Sequence, residues 1–308
     1  VRLGVLDVGS NTVHLLVVDA HRGAQPTPQL SQKSVLRLAE LVDKRGNLAR
    51  EGADALVGAV LGAKREARDL GCDDLLAFAT SAVRDAKNSA EVLERVQADT
   101  DVRLAVLTGE EEAALTFLAV RRWYGWHAGR LICLDIGGGS LELSAGDDES
   151  PEVALSVPLG AGRLTRERLD GDPPSKVALA ELRAYADDML ANPARQLLKN
   201  GPADRVVATS KTFRTLARLA GSAPSSAGPR VERILTRNGL SQVTSFISRM
   251  TSSDLAELDG VSAARAHQTL AGAIVAAAAM DALGVDQLEQ CPWALREGVI
   301  LRWLDQIG

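Results

Sequence analysis

Asp7 and Asp135 each end an aliphatic run, and glycine follows each within two residues. The first stretch reads Arg2-Leu3-Gly4-Val5-Leu6-Asp7, then Val8-Gly9-Ser10-Asn11-Thr12, then Val13 to Asp19. The second reads Arg130-Leu131-Ile132-Cys133-Leu134-Asp135, then Ile136-Gly137-Gly138-Gly139-Ser140, then Leu141 to Ser144. Around Gly9, Gly137, Gly138 and Gly139 the backbone N–H groups can approach a phosphate closely and turn toward it as a nest. Ser10, Asn11 and Ser140 can add hydroxyl or amide contacts. An Asp at the strand end can hold Mg²⁺, directly or through water, because that ion prefers hard oxygen ligands. Glu142 follows at a distance that could return a third carboxylate. Asp and Gly also make ordinary hairpin turns. It is the duplication with matching flanks that favours a phosphate and metal site.

Thr108-Gly109-Glu110-Glu111-Glu112-Ala113 places three acids in the first turn of an expected helix. Acids there complement the helix dipole, and Thr108 with Glu111 fits a capping box. Capping accounts for Glu111 better than for Glu112, which leaves Glu112 available as a base. Arg84 follows a strand beside Thr80 and Ser81, where a guanidinium could grip phosphate bidentately or be a plain surface charge. Lys211 stands where a strand becomes a helix. It could draw an anion to the helix N-terminus or be a solvated lysine. The four histidines show no ligand spacing, and His14, between Val13 and Leu15, fits a structural role. No GxxxxGK[ST], HExxH or GxSxG pattern occurs.

The elements that must position these groups alternate between strand and helix, so the class is α/β, with mixed sheets implied by the hairpins. An apolar stripe from Ala53 to Leu70 predicts a helix ended by Gly71. Strands are expected at Leu75–Ala79, Arg103–Leu107, Val153–Val157 and Arg205–Ala208. Helices are expected from Ser89 as cap, over Gly109–Trp123, after Ser175, near Thr212 and from about Trp293. Ser222–Pro229 reads as a loop, and Val285–Gln290 as a short segment. The repeated unit suggests two similar domains, 1–126 and 127–292, with the final helix, about 293–308, returning to the first.

The chain has 308 residues and a net charge of −5. The acidic balance disfavours nucleic-acid coating, and 3% aromatic residues offer little platform for stacked bases. Three widely spaced cysteines, Cys72, Cys133 and Cys291, fit reduced thiols of a cytoplasmic protein. Cys133 lies in an apolar strand pattern and reads as packing. No signal peptide is expected before the first strand. Leu270–Leu283 is shorter than the roughly 20 residues of a membrane span and reads as a buried helix.

Together these segments resemble the exopolyphosphatase/guanosine pentaphosphate phosphatase family of actin-like proteins, over nearly the whole chain. Leu6 to His14 is similar to its first phosphate motif, and Leu134 to Leu143 to its second. Ala79–Arg84 and Thr108–Ala113 match the segments that bear its substrate-binding arginine and catalytic glutamate. Leu159–Thr165 and Leu295–Gly298 match further segments. The resemblance implies two ribonuclease-H-like domains with an interdomain cleft. It implies Glu112 as general base, Asp7, Asp135 and Glu142 as metal holders, and Arg84 as the grip on substrate.

The expected activity is metal-assisted release of terminal phosphates from inorganic polyphosphate, with Mg²⁺ or else Mn²⁺. The chain resembles the short, two-domain branch, so short chains are the expected substrate. Ser210-Lys211 occupies a loop that is more often glycine-rich in nucleotide-binding relatives. Alternatives are a guanosine pentaphosphate 5′-phosphatase and an actin-like ATP-binding regulator. A homodimer is expected from family habit, with no nucleic acid or membrane partner.

Overall fold

A computed structural model describes residues 1–21, 23, 26 and 28–307. In chain order the elements are β1 (Arg2–Val8), β2 (Thr12–Asp19), β3 (Pro28–Val35), α1 (Arg50–Asp69), β4 (Asp74–Ala79), α2 (Ser81–Arg84), α3 (Ser89–Thr100), β5 (Ala105–Val106) and α4 (Gly109–Tyr124). There follow β6 (Leu131–Ile136), β7 (Leu141–Gly146), β8 (Val153–Val157), α5 (Ala161–Arg168), α6 (Lys176–Leu197), β9 (Arg205–Thr209) and α7 (Ser210–Leu219). The last are β10 (Ile234–Thr236), α8 (Arg237–Ile247), α9 (Ser252–Ala256), α10 (Thr269–Leu283), β11 (Gln287–Gln290) and α11 (Leu295–Gln306).

The chain divides into two compact units, Val1–Glu112 with Arg296–Gly308, and Ala113–Leu295. The first holds a five-stranded sheet in the order β3-β2-β1-β4-β5. Strands β1, β2 and β3 pair antiparallel, while β4 and β5 run parallel to β1. The second holds a six-stranded sheet in the order β10-β11-β9-β6-β7-β8. Here β6, β7 and β8 pair antiparallel, and β9 and β11 run parallel to β6. Five strands thus repeat one order and one sense, and β10 is added at an edge.

Side chains alternate along a strand, and this decides where the acids point. Leu6 and Val8 of β1 enter the core beneath α1, whose Leu56, Val60 and Ala67 are buried there. Asp7 therefore shares the other face with Leu3 and Val5. In β6, Ile132, Leu134 and Ile136 pack toward the core that includes α10, while Leu131 and Cys133 pack with Phe117 and Val120 of α4. Asp135 lies on the α4 side by the same alternation. Helix α10 is buried almost all round, and a Cβ on its Gly272 would come 2.5 Å from the Thr212 methyl. Only a glycine lets α10 approach α7 so closely.

Several local expectations change. The strand expected over Arg103–Leu107 is only Ala105–Val106, since Val102 and Leu104 turn into the core before the backbone can pair. Asn88, not Ser89, stands at the cap of α3, and its side chain is used elsewhere. It accepts from the Leu48 N–H at 2.8 Å and donates to the Leu48 carbonyl at 3.0 Å. A short 3₁₀ turn, Ser225–Ala227, lies within the expected Ser222–Pro229 loop. Ser175 caps α6 as expected, accepting from Ala178 N–H at 3.1 Å. Among the described residues no helix is long and apolar enough to cross a membrane.

Leu134 ties the acid-bearing strand to its core at 0% exposure. Leu134→Ala should lower stability by about 2–5 kcal/mol in chemical denaturation, because a cavity is added to the lost transfer energy. A loss under about 1 kcal/mol would mean that this strand is not held by its core.

Candidate active site

Both glycine turns close in the same way. The Gly9 N–H donates to the Thr12 carbonyl at 3.0 Å, and the Gly137 N–H to the Ser140 carbonyl at 2.9 Å. The sequence repeat is therefore a repeat of backbone geometry.

In the second unit, α5 takes up the carbonyls of the glycine loop one after another. Ala161 N–H donates to Gly137 at 3.0 Å, Arg163 N–H to Gly138 at 2.8 Å, and Arg163 Nε to Gly139 at 2.8 Å. In a trans peptide the N–H points opposite to its C=O. With these carbonyls directed at α5, the N–H groups of Gly138, Gly139 and Ser140 are directed away from it. That is the arrangement of an anion nest. Gly160 makes the approach possible, since a Cβ there would lie 2.2 Å from the Gly139 carbonyl carbon and 2.3 Å from Ser140 N. Gly160 and Arg163 belong to a segment that resembles the family, yet spacing alone gave them no role. Their partners are over twenty residues away in sequence.

Asp135 and Glu142 stand directly opposite each other on β6 and β7. Thr209 on β9 neighbours Asp135, and Ser156 on β8 neighbours Glu142. Four polar residues thus form a row across one sheet face. Thr209 Oγ1 donates to Asp135 Oδ2 at 2.9 Å, and Ser156 Oγ donates to Glu142 Oε1 at 2.9 Å. The hydroxyls hold the outer sides of the pair and orient it.

In the first unit, the Ser10 and Ser81 hydroxyls meet at 2.8 Å, joining the first glycine turn to the segment after β4. The Asn11 carbonyl accepts from the Leu36 and Arg37 N–H groups at 3.0 and 2.9 Å. Asp7 lies opposite His14 in the β1–β2 register. Arg296 of α11 reaches both, with Nη1 at 3.6 Å from Asp7 Oδ2 and bonded to His14 Nδ1. A guanidinium can only donate, so Nδ1 is the acceptor of this pair. On the other side of the ring, His14 Nε2 and Ser31 Oγ meet at 2.8 Å. Asp7 has a cation beside it that the spacing of residues did not indicate.

The acidic turn separates its members. Thr108 N–H donates to Glu111 Oε2 at 2.8 Å and Glu111 N–H to Thr108 Oγ1 at 3.1 Å, which completes the capping box. Glu112 turns inward, is 7% exposed and pairs with Arg84 Nη1. Arg84 also donates to the Leu107 carbonyl at 3.0 Å and to Asp85 at 3.2 Å. Burial opposes the Arg84 charge, but the charge and hydrogen bond of Glu112, with Asp85 adding to them, outweigh it and raise the guanidinium pKa. Arg84 and Glu112 are thus brought together, a pairing that neither segment reveals by itself.

Lys211 is not on the glycine loop. Its ammonium turns toward the Gly260 carbonyl at 3.4 Å, while neighbouring Thr212 donates to the Ile136 carbonyl at 2.9 Å.

Among the described residues no cluster of three or more His, Cys, Asp or Glu comes together. The Asp135–Glu142 pair still fits a hard divalent cation. It offers carboxylate oxygens of fixed orientation, and Mg²⁺ is commonly bound by one or two carboxylates while keeping waters of its own.

Residues 16–307 match the Ppx/GppA phosphatase family. Exopolyphosphatase 1 of Mycobacterium tuberculosis is 62% identical over 304 residues, covering 99% of this chain and 88% of that protein. Exopolyphosphatase 1 of Mycobacterium leprae is 60% identical, covering 99% and 90%. The crystal structure of an exopolyphosphatase from Cytophaga hutchinsonii superposes with a TM-score of 0.89 at 22% identity, covering 99% of this chain and 98% of that one. At that identity the likeness speaks for the fold, the α/β pair of mixed sheets described above. Matched over nearly its whole length by the family and by such near relatives, the chain belongs to the Ppx/GppA phosphatases.

Proposed function

We propose that the chain is an exopolyphosphatase that removes terminal phosphates from inorganic polyphosphate by attack of water. The observation that carries the reading is the glycine loop, whose carbonyls α5 takes up and whose N–H groups are aimed the other way. Relatives at 60–62% identity that bear the name exopolyphosphatase support the polymer as substrate.

Phosphoryl transfer asks for positioning and charge neutralisation more than for covalent chemistry. In the second unit the loop N–H groups fix phosphate oxygens, and in the first unit the turn of Gly9, Ser10 and Asn11 offers contacts of the same kind. Asp135 and Glu142 would hold Mg²⁺ or else Mn²⁺, Asp7 being the candidate ligand of the first unit, and a bound ion of this kind supplies neutralisation of phosphate charge. Glu112 orients and deprotonates the attacking water. Arg84 has two partners in turn. Without substrate it pairs with Glu112, and with substrate its fork also suits phosphate oxygens. Phosphate release from polyphosphate, guanosine pentaphosphate and ATP, assayed in parallel, tests the reading. Turnover of guanosine pentaphosphate with none of polyphosphate would overturn it.

Two substitutions in one helical turn separate base from cap. Glu112→Gln should lower kcat by about 10²–10⁴-fold with KM little changed, the usual worth of a positioned base. Glu111→Gln should keep most activity, because glutamine still completes the capping box. Small and equal effects at both positions would remove Glu112 from the chemistry.

The loop is tested without touching any charge. In Gly160→Ala the new methyl must push Gly139 and Ser140 aside. Hydrogen bonds to charged groups are worth about 1.5–3 kcal/mol, so loss of one should raise KM for polyphosphate about tenfold or more. An unchanged KM in a folded variant would mean that this loop does not hold phosphate.

A further inference from the structure

Helix α11 opens on a cation that its own dipole disfavours. Arg296 stands in the first turn, where the positive end of a helix favours acids such as the neighbouring Glu297. The guanidinium turns instead to the β1–β2 hairpin, and all three residues belong to the first unit. Nη1 bonds to His14 Nδ1 and lies 3.6 Å from Asp7 Oδ2. His14 and Asp7 are cross-strand neighbours, so one nitrogen serves two residues on one face of the sheet.

The two contacts are unlike. The contact with His14 is a hydrogen bond. At 3.6 Å the contact with Asp7 is an ion pair and too long for a hydrogen bond. Arg296 Nε is buried and has no hydrogen-bond partner among the described residues. A buried donor left unmet is costly, so Arg296 is not placed there for the strength of its bonds.

What the placement does change is charge. A carboxylate by itself draws a divalent cation. With a guanidinium beside it, the pair offers such a cation no net charge, and the guanidinium repels it. An anion meets the opposite field. It is drawn to Arg296, and its own charge restores the pull on the cation.

We propose that Arg296 is a positioning residue of the first unit, which holds a bare divalent cation back from Asp7 so that the cation binds well only together with an anion. Arg296 acts through Asp7, and the inference rests on the reading of Asp7 as a metal holder. In polyphosphate hydrolysis the ion then arrives with the phosphates.

The test uses the full chain without substrate, Mg²⁺ alone as the probe, and thermal unfolding as the readout. Every variant carries Glu142→Gln, which takes the opposed carboxylates of the second unit out of the measurement. Arg296→Gln removes the charge and keeps a donor for His14, whereas Arg296→Lys keeps the charge. Loss of one nearby positive charge should lower the half-saturating Mg²⁺ about tenfold in Arg296→Gln. Arg296→Lys should stay near the reference. A structural defect alone does not tighten cation binding. Adding Asp7→Asn to Arg296→Gln should abolish the gain. Equal half-saturation in the reference and in Arg296→Gln would overturn the proposal. A gain that survives Asp7→Asn would remove Asp7 as the ligand, and the proposal with it. Should Arg296→Gln fail to fold, inorganic phosphate gives a second measurement. It should lower the half-saturating Mg²⁺ of the reference, and no change would overturn the proposal. The expected shifts in a chain that does not turn over polyphosphate would keep the role of Arg296 and remove the exopolyphosphatase reading instead.

Discussion

Two carboxylates, Asp135 and Glu142, are forced to face each other across a pair of antiparallel strands. Like charges placed directly opposite in a sheet destabilise it. The sheet cannot relieve them by slipping one residue. Such a slip would turn Leu134, Ile136, Leu141 and Leu143, all at most 1% exposed, onto the wrong face. Ser156 and Thr209 ease the outer sides with a hydrogen bond each. The rest of the second unit serves this pair. The glycine loop begins two residues after Asp135, α5 orients that loop, and α10 approaches through Gly272 to hold α7 and its Thr212 against Ile136.

In the first unit the two candidate acids each lie beside a cation, Asp7 with Arg296 and Glu112 with Arg84. Glu112 is paired with Arg84 at low exposure. The same arginine is the one that the family resemblance assigns to substrate.

Much of this was legible in the sequence because it is local. An aliphatic run ending in Asp, followed by glycine, identifies both hairpins, and the Thr108–Glu111 spacing identifies the capping box. What could not be read depends on distant parts of the chain. Arg296 meets His14 across 282 positions, and Arg84 meets Glu112 across 28. Gly160 matters only because Gly139 lies against it. Strand β3 gave no signal for another reason. It is an edge strand with nearly every residue exposed, so it carries no apolar alternation. The strand expected at Arg103–Leu107 had apolar residues that serve the core from a loop.

The opposed carboxylates make the most direct test. Thermal unfolding of the parent and of Glu142→Gln should be compared in chelator and again with Mg²⁺. Glutamine keeps the acceptor for Ser156 and removes the repulsion. In chelator the variant should be as stable as the parent or more so, and Mg²⁺ should stabilise the parent alone. A variant that is weaker in chelator and gains as much from Mg²⁺ as the parent would contradict the account.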